Sequence, residues 1–462
     1  MSETPRDADA HRHAHGHAHG HSHAHSHADD IPWTAFRSEP LLQGVLVFIG
    51  LALLATLVSI GLLWPTGEGR DDAVARGEQV GLGSERFAAT VTAVSDGLCS
   101  YATSDSPQTC RTIEFRVDEG EFVGLVEEFQ EFNLRNDALT PNVSVGDSVI
   151  AGFEPSTGFW FYADLDRRGS LVVLVALFAI FVIALGRLRG ALALLGMVAT
   201  VAVLIFFVAP SVLDGNDPLL VAVVAASAIA FVSLYLTHGV NPTTTVALAG
   251  TLLSLGLTLA LASAFFALAR FTGLATEESQ LLPFVAGSVD LSALLLGGAV
   301  LGTLGALDDV TVTQVATVSE LHRRSPNLSV SQLVVSGIRV GREHIASTVN
   351  TLLLAYVGAS MPLLLLFAAS DQALDKVANS ELISVEIVRT LCGSIGLVAA
   401  VPVTTVLAAL VTRRAITDEI ELRDPDDDDA VTVVVEEPPE HEDEIAAPSW
   451  DDFAPRELGD EW

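Results

Sequence analysis

Long apolar runs alternate with shorter polar segments along most of this chain. A helix that crosses a bilayer needs about 20 consecutive, mostly apolar residues to span ~30 Å of hydrocarbon. Eight runs approach or exceed that length with almost no charged residue inside them. They are residues 41–64, 170–185, 191–209, 219–236, 243–269, 291–307, 346–367 and 387–411. The pattern predicts a mostly α-helical membrane protein with about eight transmembrane helices.

A hydrophilic segment, residues 65–168, separates the first predicted span from the other seven. Four runs in it have the composition of strands, with Gly, Asp and Pro between them. These runs are residues 87–94, 111–117, 145–150 and 158–162. We therefore expect one small β-rich domain outside the membrane, a barrel or sandwich, with an OB-like arrangement as one option.

Both ends of the chain have compositions that cannot form a packed core. Residues 1–40 are rich in His, and residues 415–462 are strongly acidic. We predict that both are disordered tails. The run at 41–64 begins too late and is too long for a signal peptide, so it is expected to remain as an anchor. Residues 169–414 then form a seven-helix transmembrane region.

The distribution of Arg and Lys predicts the orientation, because these residues collect in short cytoplasmic loops. With the N-terminus inside, the inner loops hold most of the Arg, whereas the outer loops are mainly acidic. The inner residues are Arg187, Arg189, Arg323, Arg324, Arg339, Arg342, Arg413 and Arg414. Arg167 and Arg168 oppose the rule but are outnumbered. We expect a multi-pass protein of the cell membrane with both termini in the cytoplasm.

The formal net charge of −33 lies mainly in the hydrophilic segment and the C-terminal tail. This acidity disfavours nucleic acid as a partner, because binding to phosphates needs clustered Lys and Arg. The expected partners are the lipid bilayer and a small solute or ion. The sequence leaves assembly into a homo-oligomer open.

Two of the three cysteines, Cys99 and Cys110, lie in the hydrophilic segment, and Cys392 lies in an apolar run. Two cysteines eleven residues apart in an extracytoplasmic domain can form a disulfide. Free thiols at both positions are the alternative.

Histidine occupies every odd position of a tract near the N-terminus. Neutral imidazole is a common ligand for Zn, Ni and Cu, and a flexible tract can place two or three around one ion. Weak metal binding is the interpretation we favour, and an accidental low-complexity segment is the alternative. The residues are His11, His13, His15, His17, His19, His21, His23, His25 and His27.

Polar residues near the membrane are densest after residue 302. Asp308 and Asp309 are adjacent at the predicted end of a span, where facing lipid would cost several kcal/mol. One interpretation is a site for an ion or substrate, to which Thr311 and Gln314 also contribute. The other is an ordinary helix end at the interface. His344 and Asn350 belong to the same candidate site, although Asn350 can equally serve helix packing.

Three further features concern helix geometry. Asn241 and Pro242 fit the N-cap and first position of a helix. Glu386 and Arg389 are three residues apart and can pair on one helix face. Pro402 falls inside the last predicted span, where it should interrupt the helix.

Four blocks resemble the YibE/F family of bacterial membrane proteins. They are residues 305–314 (GALDDVTVTQ), 341–352 (GREHIASTVNTL), 355–359 (AYVGA) and 389–397 (RTLCGSIGL). The resemblance extends from residue 41 to about residue 414. It implies a multi-span protein with an extracytoplasmic domain after the first helix, and it brings no settled activity.

Signatures of common enzyme classes are missing from the sequence, so we expect no enzymatic activity. A permease with a site around Asp308, Asp309, His344 and Asn350 is the first hypothesis. The alternative is a scaffold or sensor whose outer domain binds a partner while the helices anchor it. An intramembrane enzyme is the third and weakest.

The histidine tract generates a direct prediction. The purified protein should bind Zn or Ni at a pH of about 7.5 and release it near pH 5, because a ligating imidazole must be neutral and its ordinary pKa is ~6.5. Deleting residues 1–30 should abolish this release without unfolding the helices. Metal stoichiometry by elemental analysis is the measurement, and an unchanged stoichiometry after the deletion would place the site elsewhere.

Overall fold

The computed structural model describes residues 40–79, 83–103, 107–135, 140–287, 289–369 and 373–421. The histidine tract and residues 422–462 of the acidic tail lie outside the described residues, whereas residues 415–421 continue the last helix and are not the start of a tail. The chain forms an N-terminal helix, a small sheet domain and a helical region, in that order. The helices are α1 (Pro40–Leu62), α2 (Glu68–Gln79), α3 (Arg168–Val203), α4 (Ala209–Leu213), α5 (Pro218–His238), α6 (Pro242–Ala269), α7 (Glu277–Val285), α8 (Leu291–Arg324), α9 (Val330–Ala359), α10 (Met361–Ala369), α11 (Leu374–Asn379) and α12 (Glu381–Glu421).

Apolar helices of membrane-spanning length dominate the described part of the chain. Six are long and apolar enough to cross a membrane, and the pair α9 and α10 would add a seventh if it is one bent span. The six are Leu42–Leu62, Arg168–Leu213, Pro218–His238, Pro242–Ala269, Leu291–Arg324 and Glu381–Thr412. The prediction of a multi-span helical membrane protein is confirmed.

The predicted count of eight spans is not confirmed, for two reasons. Predicted spans 170–185 and 191–209 fall within one run of helical residues. In this run, α3 passes through a π-helical turn, Leu204–Val208, into α4. The predicted span 346–367 is divided between α9 and α10, which meet at a bend of 62°.

The backbone nevertheless changes direction inside α3. Arg187 has non-helical dihedral angles, φ 52° and ψ −132°. A Cβ atom added to Gly190 would collide with the carbonyl oxygen of Val182, eight residues earlier. Residues eight apart in a straight helix are about 12 Å apart along the axis. The helix therefore folds back on itself around Arg187.

Capping residues fix where several helices begin. Asp217, Asn241 and Asp290 precede α5, α6 and α8, and each accepts a hydrogen bond from a backbone N–H three residues later. The first N–H groups of a helix have no partner within it, so a side-chain acceptor at this position is stabilising. The predicted use of Asn241 and Pro242 as a helix start is present.

The sheet domain consists of β1 (Glu85–Leu98), β2 (Thr109–Val117), β3 (Val126–Glu128), β4 (Phe132–Asn133), β5 (Ser148–Glu154) and β6 (Phe159–Leu165). The strands are antiparallel in the order β3-β2-β1-β5-β6, and β4 pairs with β2. Each of the four predicted strand runs overlaps a strand. The barrel and the OB-like arrangement are not confirmed, because β3 and β6 are open edges among the described strands.

Alternating side chains of the strands form an aromatic core. Phe115 is fully buried and stacks on Phe129, with 4.0 Å between the ring centroids. Trp160 packs against Phe115 and Phe87. Burying several aromatic side chains supplies a small domain with most of its apolar contact area.

Hydrogen bonds tie the residues that follow the first helix to α4 and to Asp214, directly after it. The hydroxyl of Ser211 donates to the carbonyl oxygen of Leu63 at 2.8 Å. The carboxylate of Asp214 accepts from the backbone N–H groups of Thr66, Gly67 and Gly69. Burial alone would raise the pKa of Asp214, but these hydrogen bonds outweigh it and hold the pKa below its ordinary value.

The same end of the bundle includes the loops around α7 and α11. The carboxylate of Glu381 accepts from the backbone N–H groups of Thr272 and Gly273 at 2.8 and 2.7 Å. Helix α7 contacts α2, which follows Thr66 directly. We call this end, where the sheet domain joins the helices, the domain end. It lies opposite the turns at Arg187 and Asn241.

The structure joins Cys99 and Cys110 in a disulfide between the end of β1 and the start of β2, with 4.8 Å between their Cα atoms. The buried Cys392 is the free cysteine of the described chain.

This pairing can be tested in cells. After alkylation of intact cells, non-reducing peptide mapping should recover the peptides of Cys99 and Cys110 joined. Cys392 serves as an internal control, because a buried free thiol should react only after denaturation. Recovery of both domain cysteines as alkylated monomers would contradict the disulfide.

Candidate functional site

Helix α8 supplies the first four predicted site residues and is the central helix of the bundle. It packs against α5, α6 and α9. The side chains of the four residues contact different neighbours: Asp308 contacts α5, Thr311 contacts α6, Asp309 faces α9, and Gln314 bonds to α9 and α12. The structure therefore spreads these residues over several helix contacts instead of gathering them in one site.

Asp308 lies in the middle of α8, not at its end. The predicted span stopped at residue 307, but α8 continues to Arg324. Helical hydrogen bonding continues because Val310, Val315 and Val318 are all buried against the neighbouring helices. Asp308 is 17 residues from Leu291, or about 26 Å along the axis. Asp308 is therefore not at the end of a helix, whereas its predicted position at the membrane interface stays a prediction.

The Asp308 carboxylate is only partly satisfied. Its Oδ2 atom accepts a hydrogen bond from the hydroxyl of Ser233 in α5 at 3.3 Å. Its Oδ1 atom is buried and has no hydrogen-bond partner among the described residues. A buried acceptor without a partner costs about 1–3 kcal/mol, and more when it is charged. The position is therefore one where a proton, cation or polar ligand would be stabilising.

Asp309 faces α9. Its Oδ2 atom is 3.9 Å from Nε2 of His344, too far for a hydrogen bond and close enough for an ion pair when the imidazole is protonated. The Asp309 side chain is 69% exposed, compared with 37% for His344. The sequence analysis placed both in one site, and the structure brings them together as a loose pair, in which the Asp309 carboxylate is exposed and Nε2 of His344 is buried without a hydrogen-bond partner among the described residues.

Thr311 and Gln314 are both buried and belong to helix contacts. The hydroxyl of Thr311 lies 2.7 Å from that of Thr251 in α6. Nε2 of Gln314 donates to the carbonyl oxygen of Gly337 in α9 at 2.8 Å and to the hydroxyl of Thr405 in α12 at 2.6 Å. With both amide hydrogens engaged, Gln314 holds three helices together.

Asn350 does not have the partner that the sequence analysis expected in the bundle. Its side chain is exposed on α9 and makes no hydrogen bond to any described residue. The structure does not bring Asn350 to Asp308.

The expected interruption at Pro402 is absent. Helix α12 is assigned continuously from Glu381 to Glu421. Val401, directly before the proline, and Thr404 and Thr405, two and three residues after it, are buried, and Thr404 packs against Gly250 of α6. Close packing on both sides of the proline keeps the chain helical.

Sequence analysis missed the hydroxyl groups that surround α8. Ser233, Thr251 and Thr405 each bond to a predicted site residue. Thr245 and Thr405 occupy equivalent positions of two similar segments, PTTTVALA at residue 242 and PVTTVLAA at residue 402. Thr245 pairs with Tyr235 at 3.2 Å. The shared Pro-x-Thr-Thr pattern was the signal that marked these inward positions.

A cavity of about 310 Å³ lies between α1, α5, α6 and α8. Its wall is mainly apolar, with one hydroxyl pair, Thr56 and Ser227, at 2.8 Å. Neither Asp308 nor Asp309 lines it. This cavity does not reach the candidate site.

One cluster among the described residues has the spacing of a metal site, namely Cys99, Cys110 and Glu131. A thiolate is the form of cysteine that binds metals, so the disulfide removes both sulfur ligands. Glu131 accepts hydrogen bonds from the backbone and hydroxyl of Ser100 instead.

Comparison with known proteins identifies the family. The family model described as YibE/F-like protein matches residues 174–414, just over half of the chain. No curated protein and no solved structure matches the sequence. The matched region begins in α3 and includes the whole helical region around Asp308. The chain therefore belongs to the YibE/F-like family of proteins.

Proposed function

We propose that this YibE/F-like protein is a permease for a small solute or ion. The observation that supports the proposal most strongly is the half-satisfied carboxylate of Asp308 inside the helical bundle. Ionisable groups at bilayer depth are costly, and those that occur face a bundle interior or a wet path. The proposed activity is movement of a solute across the membrane and includes no covalent chemistry.

Asp308 is the proposed binding group, with Ser233 as its neighbour. Gly196 in α3 lies beside Ser233 and contributes no side chain at this junction. Carboxylate and hydroxyl oxygens are ligands that suit a cation or a proton. Asp309 and His344 form a loose pair outside this proposed binding group, and the Asp309 carboxylate is exposed.

We further propose eight spans, with both termini in the cytoplasm of a cell-membrane protein. The sheet domain cannot cross the bilayer, so Leu62 and Arg168 lie on one side. Ser211 and Asp214 bond to residues 63–69, which supports the same side for the end of α4. An even number of crossings between Arg168 and Leu213 is then required, and the reversal at Arg187 gives two. The bent pair α9 and α10, counted as one span, brings the number of spans to eight.

A scaffold or sensor is the second candidate function. Its support is that Thr311 and Gln314 are satisfied by helix packing, and that the cavity described above is apolar. In this alternative the sheet domain binds a partner, and the helices act as its anchor. The two candidates differ in whether the charge of Asp308 is needed.

Replacing the two neighbouring carboxylates separately distinguishes these candidates. In a strain lacking the protein, Asp308→Asn should lower rescue of the deletion phenotype by about tenfold or more, because one charge-assisted contact is lost. Asp309→Asn is the matched control and should retain most of the rescue, since its carboxylate is exposed. Growth or uptake is measured at equal protein levels in the membrane.

The isosteric change keeps the shape of the side chain, so both variants should fold. Full rescue by Asp308→Asn at normal levels would contradict the permease and favour the scaffold.

A further inference from the structure

A second ionisable cluster lies inside the bundle, away from Asp308. In α12, Nη1 of Arg389 donates to the Oε1 and Oε2 atoms of Glu386 at 3.0 and 3.3 Å. Nε of Arg389 is buried and has no hydrogen-bond partner among the described residues. A guanidinium offers five N–H donors. Glu386 therefore uses only part of the donor capacity of Arg389.

Two other helices complete the walls of this cluster. Tyr356 of α9 lies within electrostatic range of both Glu386 and Arg389. Its hydroxyl approaches Gly302 of α8, where an added Cβ would be only 3.2 Å from the oxygen. The absence of a side chain at residue 302 leaves room for the phenol, and the cluster lies where three helices meet.

The cluster is within the apolar part of the bundle but near the domain end. Arg389 is eight residues from Glu381, or about 12 Å along the helix axis. Its side chain is 19% exposed, and that of Glu386 is 31% exposed. Ionisable side chains at such a depth are rare, and those that occur are usually paired and usually functional.

An interrupted helix lies directly above the cluster on the domain side. Helix α9 ends at Ala359, three residues after Tyr356, and α10 departs at 62°. Non-helical backbone at membrane depth is tolerated where protein or water surrounds it. Interrupted spans in transporters commonly border binding sites. The bend therefore lies between the cluster and the domain end.

We propose that Arg389 binds an oxyanion, a carboxylate or phosphate group, that enters from the domain end. Glu386 competes with the oxyanion for the guanidinium, and the hydroxyl of Tyr356 is a second donor. The planar guanidinium suits both groups because it can form two parallel hydrogen bonds to either. This site extends the proposed permease function, but its occupancy is measured without transport, so either proposal can fail alone.

Inorganic phosphate is the probe for this site. The full-length protein is purified in a non-ionic detergent that contains no phosphate, and the melting temperature is followed during titration with phosphate or with chloride at equal ionic strength. Binding to the native state raises the melting temperature. Wild type should respond to phosphate and not to chloride, whereas Arg389→Gln should not respond to either. Arg339→Gln, at an exposed position of α9, is the control and should behave as wild type.

Glu386→Gln tests the competition in the opposite direction. Removing the competing carboxylate should tighten phosphate binding about tenfold, as expected for one charge-assisted hydrogen bond. If Arg389→Gln does not fold, the phosphate affinity of Glu386→Gln tests the proposed site by itself. Equal or weaker binding by Glu386→Gln would overturn the proposal, as would an equal response in Arg389→Gln.

A third arm distinguishes the sources of the oxyanion. Stabilisation of wild type by an added phosphate-bearing lipid, lost in Arg389→Gln, with no response to free phosphate, would support the site and assign its oxyanion to a lipid headgroup. No specific response to either would refute it.

Discussion

The interior of a bilayer offers no hydrogen bonds, and every polar group in this helical region has to be satisfied by the protein itself. The helices provide hydrogen-bond partners for their backbone N–H and C=O groups, so the polar side chains are the groups that still need partners. Thr251, Thr258 and Thr405 donate to carbonyl oxygens one turn earlier in their own helices, which removes their hydroxyl hydrogens from the lipid. Against this background, several buried side-chain atoms have no hydrogen-bond partner among the described residues, and Oδ1 of Asp308 is the carboxylate oxygen among them. The functional proposal depends on this oxygen.

Glycine residues allow the helices of this region to approach one another closely. A Cβ added to Gly337 would be 2.8 Å from Thr405, and one added to Gly341 would be 2.9 Å from Oε1 of Gln314. Gly393 makes a similar contact with Thr303. Small residues in membrane helices let backbones approach, so that short polar side chains reach across. The contacts of Gln314 therefore depend on glycines in the helix opposite.

Sequence analysis predicted the features set by local pattern. Apolar runs identified most of the long helices, alternation identified the strands, and spacing identified the pair Glu386–Arg389. Features that depend on tertiary contacts were missed. The continuation of α8 past Asp308 results from burial on three sides, and α12 passes through Pro402 because neighbouring helices pack against it. The partners of the site, such as Ser233, are distant in sequence, and no local pattern could pair them with α8.

Water access to Asp308 is the central claim, and thiol labelling beside it is the most direct measurement. In a Cys392→Ser background, Ser233→Cys should react with a small charged methanethiosulfonate in native membrane vesicles, because a thiolate, which forms in water, attacks the reagent and displaces methanesulfinate. Thr251→Cys, at a fully buried position, should react only after denaturation. If Ser233→Cys is as unreactive as Thr251→Cys in the membrane, while both react when unfolded, Asp308 does not border a wet path and the permease account is contradicted.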